Sequence, residues 1–422
     1  MSSAKSLDGR TVWIPRMSRE GVVLMSRAFG SMGIDASPLP EGDDHTLRLA
    51  RRHLSGDECL PEAITLGGFL KVTELPGYDP AKTAFLLPTS NGPCRYGQYL
   101  PLARKVFRER GEEEVMFFAP SSYGGYGDFG DAISFIRTAW IAIVCADILR
   151  SMRLRIRPYE VNSGETDLVL EKSLELVGNA LALEAISFRK RFRAIRRAMK
   201  ESRNLFRGID RAEETEKPRV GIVGEIFCRL NEFSNDEFAR AVEKAGGEAE
   251  MAGVSEWVWY TNDEEKKRLL EAGKRISKDM LSLKLRNWIM RRDERRIHRL
   301  FEEDLAGRDE PEIDWVLERS REYLPREGAL GEMVLNVGKA IWFKERGASA
   351  VADISPFTCM NATVCESVYP RVSRDHDNIP IRIFYFDCLK TDRTEDLEIF
   401  MELARNYRRR AHSSRSSVSS GT

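Results

Sequence analysis

The chain has 422 residues, which is long enough for two or three domains of ordinary size. Its 66 lysines and arginines balance 66 aspartates and glutamates, so no overall field favours nucleic acid, an anionic membrane or an acidic substrate. The most hydrophobic stretch, residues 138–149, is shorter than the roughly 20 apolar residues that span a bilayer, and the N-terminus has no hydrophobic signal core. We therefore expect a cytoplasmic protein that binds neither nucleic acid nor a membrane, with its seven cysteines as reduced thiols.

The first 130 residues show short apolar runs bounded by turn residues. These runs, at residues 10–15, 83–88 and 115–120, predict buried parallel strands. Helical patterns at residues 61–74 and 99–110 lie between them. Strands that alternate with helices indicate a parallel sheet with right-handed crossovers, so residues 1–130 are predicted to form an α/β domain.

The rest of the chain divides into three predicted segments. Residues 131–217 are predicted to form a helical insert or connector that ends in a charged run before Pro218. Residues 218–410 are predicted to form a second α/β domain, with strands at residues 219–227, 248–254, 348–354 and 379–386. Residues 411–422 are rich in serine and are expected to be disordered.

Three cysteines, Cys59, Cys94 and Cys359, lie in turn-forming sequences that we interpret as the ends of strands. Thiolates are the preferred ligands of iron–sulfur clusters, and open α/β sheets place their sites outside the carboxyl ends of the strands. The pattern therefore suggests a shared inorganic ligand. The alternative is that each cysteine is a small buried apolar residue, since no Cys-x-x-Cys pair supports a local metal motif.

The residues around two of these cysteines are typical of helix starts. A helix N-terminus lowers the pKa of a thiol and favours an anionic cluster, and Cys94 and Cys359 each precede a predicted helix. The amides of Asn91, Gln98 or Asn361 are candidates for hydrogen bonds to cluster sulfides. Ordinary turn and cap chemistry is the alternative for these polar side chains.

Five short sequences are more specific than this general pattern. They are residues 56–61 (GDECLP), 92–99 (GPCRYGQY), 219–227 (RVGIVGEIF), 231–235 (NEFSN) and 356–359 (PFTC). Together they resemble the 2-hydroxyacyl-CoA dehydratase component family, and within it the branch related to CoA-enzyme activases. The similarity spans residues 10–408.

The resemblance implies two flavodoxin-like or Rossmann-like domains with a helical insert. It also implies an oxygen-sensitive, anaerobic iron–sulfur protein whose [4Fe–4S] cluster is held by Cys59, Cys94 and Cys359, with one iron lacking a cysteine ligand. In family members of known activity, an ATP-driven activase passes one electron through such a cluster to a 2-hydroxyacyl-CoA thioester, which then loses hydroxide, a lyase reaction. Relatives carry paired cubanes and reduce small molecules, so a paired or bridged cluster and a reductase role stay open.

The same resemblance implies partners. The chain has no Gly-x-x-x-x-Gly-Lys-Ser/Thr loop, and residues 220–224 are better explained as a packed strand than as a nucleotide site. We therefore expect a separate ATP-dependent activase or a homologous subunit, with a dimer as one arrangement, and an acyl-CoA-like small molecule. The alternative is a non-catalytic scaffold or an electron-relay subunit.

The remaining candidates are acids and further cysteines. Glu58 precedes a proposed ligand and Glu225 ends a strand, which makes them weak acid–base candidates. Cys145 is interpreted as core and Cys365 as packing, whereas Cys228 and Cys388 either line a cleft or substitute as ligands. Two basic runs, residues 189–211 and 284–299, are interpreted as solvated helix faces, with phosphates of coenzyme A or an acidic partner as alternative occupants.

Overall fold

The computed structural model describes residues 7–89, 92–120, 133–212, 217–326, 328–389 and 391–419. These residues form two four-stranded sheets in which all neighbouring strands are parallel. The predicted α/β class with two parallel sheets is therefore confirmed. Both sheets also have the same topology, because the second strand of each lies at an edge, followed by the first, third and fourth. This order is the flavodoxin-like one.

The first sheet has the order β2-β1-β3-β4. Its strands are β1 (Thr11–Ile14), β2 (Ala36–Pro38), β3 (Thr83–Leu86) and β4 (Met116–Phe118). Its accompanying helices are α1 (Arg19–Gly30), α2 (Asp44–Arg51), α3 (Leu60–Val72) and α4 (Tyr96–Glu109). Helix α3 is apolar all round and nearly every residue in it is buried, as expected of a helix inside the core. Its Phe69 ring packs against Phe85 of β3 and Phe117 of β4, which joins helix and sheet into one core.

Three longer helices follow in the region predicted as a helical insert. They are α5 (Ile133–Ile156), α6 (Glu165–Leu181) and α7 (Phe188–Arg207). Helix α7 is strongly amphipathic, with Phe192, Ile195, Met199 and Phe206 buried and most of its arginines and lysines on the outer face. Its apolar residues therefore pack inward, while its basic residues lie at the surface.

The second sheet has the order β6-β5-β7-β8. Its strands are β5 (Arg219–Gly224), β6 (Glu248–Met251), β7 (Ala350–Pro356) and β8 (Ile381–Phe386). The helices in this half of the chain are α8 (Ile226–Leu230), α9 (Phe238–Lys244), α10 (Val254–Glu271), α11 (Lys278–His298), α12 (Ile313–Ser320), α13 (Glu332–Glu345), α14 (Met360–Asp375) and α15 (Thr394–Ser419). Strand β7 is buried along its whole length, as expected for a central parallel strand.

The chain divides into two compact units, each with one sheet. The first unit consists of Met1–Arg150, Asp167–Ile209 and Gly253–Asp304, and the second of Ser151–Thr166, Asp210–Ala252 and Leu305–Thr422. Both units are discontinuous, whereas the sequence-based segments 1–130, 131–217 and 218–410 were drawn as continuous pieces. Helices α10 and α11 thus belong to the first unit although they follow β5 and β6 in the chain.

Helix α15 continues to Ser419, into the serine-rich end of the chain. The disorder of residues 411–422 stays a prediction. Extending an existing helix costs far less than starting one, so a serine-rich end can follow a well-formed amphipathic helix. Among the described helices, none has the length and apolar character needed to cross a membrane.

Candidate functional site

In the first unit, two of the predicted ligands lie at helix starts near the carboxyl end of the sheet. Cys59 is the N-cap residue of α3, and Cys94 lies two residues before the start of α4. Helix α4 follows β3, and α3 leads back to the start of β3, so both helices begin at the carboxyl edge. Cys59 itself follows helix α2 and a loop, not a strand as its sequence suggested.

Hydrogen bonds join the segments that carry these two cysteines. The Cys59 Sγ lies 2.8 Å from the Tyr99 Oη on α4, and Arg95 donates from Nη1 to the Asp57 carbonyl at 2.5 Å. The Tyr96 backbone N–H donates to the Cys94 Sγ at 3.5 Å. Cys59 is buried and Cys94 is exposed. The structure therefore brings the Cys59 and Cys94 segments together, with one thiol facing solvent.

Two glutamates near Cys59 have pKa values that are shifted in opposite directions. Although burial opposes it, hydrogen bonds from the backbone N–H groups of Ser55 and Gly56 and from the Ser55 hydroxyl lower the pKa of Glu58. Burial, reinforced by the charge of Glu58, raises the pKa of Glu62 to about 7. Glu58 is therefore a carboxylate that caps a local turn, whereas Glu62 has the proton affinity that a general acid needs at neutral pH.

The second unit has its own group of chemically active residues at the carboxyl ends of β5 and β7. Glu225 caps α8 and accepts from the backbone N–H groups of Phe227 and Cys228 at 3.0 and 2.7 Å. Cys359 is the N-cap residue of α14, just after β7. Strands β5 and β7 are neighbours whose connections leave on opposite sides, so this is the topological switch point where such folds bind ligands.

Buried carboxyl groups surround this position. Burial raises the pKa of Glu225, Glu332 and Asp353, and the charge of Glu332 raises that of Glu225 further. The Arg229 guanidinium, in a side chain only 2% exposed, favours the charged forms of all three acids. Burial and the mutual repulsion of these carboxylates therefore favour their protonated forms, while Arg229 favours the charged forms.

These acids also affect the pKa values of two thiols in the second unit. Burial raises the pKa of Cys359 to about 12, and the charges of Glu225 and Glu332 add to this, while backbone N–H groups of Asn361 and Ala362 act in the opposite direction. Burial and the charge of Glu225 also raise the pKa of Cys228. Without a positively charged ligand, both side chains are neutral thiols at pH 7.

The other cysteines are placed as follows. Cys145 is fully buried in α5, and burial raises its pKa, which agrees with its interpretation as core. Cys365 is buried on α14 and donates to the Met333 carbonyl at 3.7 Å, so it is a packed and hydrogen-bonded thiol. Cys388 is half-buried after β8.

No group of three or more His, Cys, Asp or Glu side chains positioned to hold a metal ion occurs among the described residues. Cys59 and Cys94 belong to the first unit and Cys359 to the second, and Asn91 lies outside the described residues. The donor chemistry nevertheless fits an iron–sulfur cluster, since three thiols stand at or just before helix starts. The lowered thiol pKa expected at a helix start is not found for Cys359, because burial and the nearby acids outweigh the backbone N–H groups. The set of three ligands stays a prediction.

Several residues of these two sites were missed by sequence reasoning. Glu62 lies three residues after Cys59 in a predicted helix, so helical spacing is a signal that was present in the sequence. Glu332, Asp353 and Arg229 gave no comparable signal, because their burial depends on how distant segments pack. No protein-family model and no curated protein matches this chain.

Proposed function

We propose that this chain is a cytoplasmic iron–sulfur protein of the 2-hydroxyacyl-CoA dehydratase type. In this proposal Cys59, Cys94 and Cys359 hold a [4Fe–4S] cluster, either single or paired and bridged. The protein takes part in one-electron dehydration or reduction of an acyl-CoA-like substrate. A separate ATP-dependent activase or a homologous subunit supplies the electron.

The observation that carries the proposal is that the three thiols occupy the same kind of position in the fold. Each lies at or just before the first turn of a helix, and α3, α4 and α14 all begin at the carboxyl edge of a parallel sheet. Backbone N–H groups there stabilise thiolate and sulfide charge, which is one way in which proteins set cluster potentials. The cluster would supply one-electron transfer and an iron with an open ligand position.

Protein groups in both units suit the proton part of such a reaction. Loss of hydroxide from a substrate is assisted by a nearby acid, and Glu62 in the first unit has a pKa near neutrality. In the second unit, burial and the charge of Glu332 raise the pKa of Glu225 to about 7. We propose Glu62 as a candidate acid. Of the two acid–base candidates that the sequence suggested, Glu225 has a raised pKa that suits an acid, whereas the lowered pKa of Glu58 suits only a base.

The alternative is a non-catalytic scaffold or an electron-relay subunit with the same fold and cluster. Such a protein needs buried cysteines and a partner surface but no substrate. An enzyme should change the spectrum of its cluster when an acyl-CoA is added, whereas a relay should respond only to its protein partner.

The test is iron and acid-labile sulfide per chain, with visible and EPR spectra, for protein purified without oxygen. We expect about four irons per chain in the native protein and loss of most iron in each of Cys59→Ala, Cys94→Ala and Cys359→Ala. The matched control is Cys145→Ala, which removes a fully buried thiol on helix α5.

Circular dichroism on each variant separates loss of the cluster from loss of the fold. Full iron content in any of the three variants would remove that cysteine from the ligand set. A folded native protein that contains no iron and resists reconstitution would refute the iron–sulfur proposal.

A further inference from the structure

The first unit contains a strongly basic cavity, most of whose lining comes from the two basic sequence runs 189–211 and 284–299. Its volume is about 470 Å³, within the range of small-molecule sites. It is formed by helices α5, α7 and α11. The lining residues are Arg137, Phe188, Arg189, Phe192, Arg193, Arg196, Arg292 and Arg296.

Among the residues that the structure describes, the positive charge of this cavity is largely unbalanced. The described lining includes six arginines and no acidic side chain. Asp293, buried behind the lining, pairs with Arg137 and also accepts from Arg292 at 3.1 Å. Within the described part of the chain, the Nε of Arg196 is buried and has no hydrogen-bond partner. The Asp293 carboxylate thus accepts hydrogen bonds from two of the six guanidinium groups.

The spacing of the arginines concentrates this charge on one side of each helix. Arg189, Arg193 and Arg196 are four and three residues apart on α7, and Arg292 and Arg296 are four apart on α11. Like charges at such spacings repel each other and destabilise the helix. A bound anion would remove this cost. Helix α7 also begins at the cavity and has no acidic residue in its first turn.

The cavity wall is ordered by aromatic stacking. The Phe188 and Phe192 rings stack with centroids 5.7 Å apart, and the Arg137 guanidinium lies 3.7 Å above the Phe188 ring. The Arg296 guanidinium lies 4.9 Å from the Phe192 ring centroid. Two guanidinium groups are therefore held in place before a ligand arrives, which lowers the entropy cost of binding.

We propose that this cavity binds a small molecule that carries a diphosphate group. Guanidinium groups bind phosphate oxygens in a bidentate manner, and several of them converging on one cavity match two adjacent phosphates better than one. A nucleic acid would instead need an extended basic track, and the chain as a whole has zero net charge. Phe188 and Phe192 form the apolar part of the lining, next to which the organic part of a diphosphate ester can lie. Because an acyl-CoA-like substrate is itself a diphosphate ester, this inference deepens the proposed function, but the site does not depend on the iron–sulfur cluster.

The test is calorimetric titration at fixed ionic strength with inorganic phosphate, pyrophosphate, AMP and ADP. We expect pyrophosphate and ADP to bind and the two monophosphates to bind at least about tenfold more weakly, since each lost charged hydrogen bond costs about that factor. Tighter binding of ADP than of pyrophosphate would identify a nucleotide-like ester as the ligand. Equal binding would identify the diphosphate itself as the recognised group.

The variants compare equal losses of charge at two places on α7. Arg193→Gln with Arg196→Gln removes two cavity arginines, and Arg197→Gln with Lys200→Gln removes two cations outside the cavity lining. We expect the first pair to weaken pyrophosphate binding by about a hundredfold, at about tenfold per arginine, and the control pair by no more than about threefold. Thermal melting of both variants checks that the fold is kept.

Three outcomes would overturn the proposal. One is equal weakening by both variants, which indicates non-specific attraction. Another is the absence of diphosphate binding at millimolar concentration. The third is tight binding of a single-stranded oligonucleotide or an acidic polypeptide that pyrophosphate does not displace, which would assign the cavity to a macromolecular partner.

Discussion

Glu62 illustrates how burial changes the chemistry of one side chain. The residue is 3% exposed in the first turn of α3, and burial together with the charge of Glu58 raises its pKa from 4.5 to about 7. Glu58, four residues earlier, has a lowered pKa because local N–H groups donate to it. Two glutamates on one short segment therefore titrate in different pH ranges.

Glu62→Gln should change the pH dependence of stability. A group whose folded-state pKa is raised stabilises the protein below its unfolded pKa, and this contribution is lost as pH rises through the folded value. For Glu62 that window runs from 4.5 to about 7, and the contribution lost over it is at most roughly 3 kcal/mol, since solvent screening reduces the full value. Urea unfolding at intervals from pH 4 to pH 8 should show that Glu62→Gln gains stability relative to the native protein as pH rises.

Glu58→Gln is the matched control, because its pKa shift has the opposite sign. The lowered pKa of Glu58 contributes stability above its unfolded value, and this contribution is lost as pH falls. Glu58→Gln should therefore be less stable than the native protein at pH 7, with a difference that shrinks towards low pH. The same pH dependence in both variants would contradict the assignment of opposite shifts.

At the scale of elements, two glycines allow helices to cross closely. A Cβ atom at Gly67 of α3 would overlap the Thr46 carbonyl of α2, and one at Gly338 of α13 would overlap the Val316 carbonyl of α12. Both contacts are with backbone atoms, which cannot move away by changing rotamer as a side chain can. These crossings position α3 and α13, whose first turns carry Glu62 and Glu332.

Gly67→Ala and Gly338→Ala should each destabilise the protein by about 1–3 kcal/mol through overpacking. This loss should appear even though alanine favours an isolated helix by about 1 kcal/mol over glycine. The control is Gly30→Ala in α1, where the new methyl group would lie 3.5 Å from the Ala182 Cβ, an ordinary contact. Chemical denaturation should show Gly30→Ala to be neutral or stabilising, and equal losses in all three would exclude the close crossings as the cause.

At the scale of the whole molecule, charge is balanced overall but not locally. The formal net charge is zero and the isoelectric point is near 7.0, while six arginines line one cavity and acids surround Glu225. Balanced net charge removes the repulsion that keeps molecules apart. Local charge therefore governs what the protein binds, and net charge governs its solubility.

The solubility of the native protein at low ionic strength should be lowest near pH 7 and should rise at pH 5 and pH 9. Precipitation by polyethylene glycol across this range measures it, and moderate salt should raise the solubility near pH 7 by screening attraction between opposite charges. A steady change in one direction across the whole pH range would contradict the balanced charge as its cause.

Much of the secondary structure follows from local sequence. Predicted strands at residues 83–88 and 219–227 correspond to β3 and β5, because apolar β-branched and aromatic runs between turn residues are a local signal. Strand β2 was missed, since its three residues include a serine and a proline and form no apolar run. Helix starts after Cys94 and Cys359 were likewise predicted from turn and cap residues.

By itself, the sequence determined the α/β class, the alternation of strands with helices and the position of the cysteines at helix starts, since these depend on neighbours along the chain. Only the tertiary structure decided the order of the strands, the membership of α10 and α11 in the first unit and the burial of Glu62, Glu332 and Asp353. It also decided that arginines of three helices line one cavity. The physical reason is that pKa shifts and binding cavities arise from contacts between residues far apart in sequence, which no local pattern encodes.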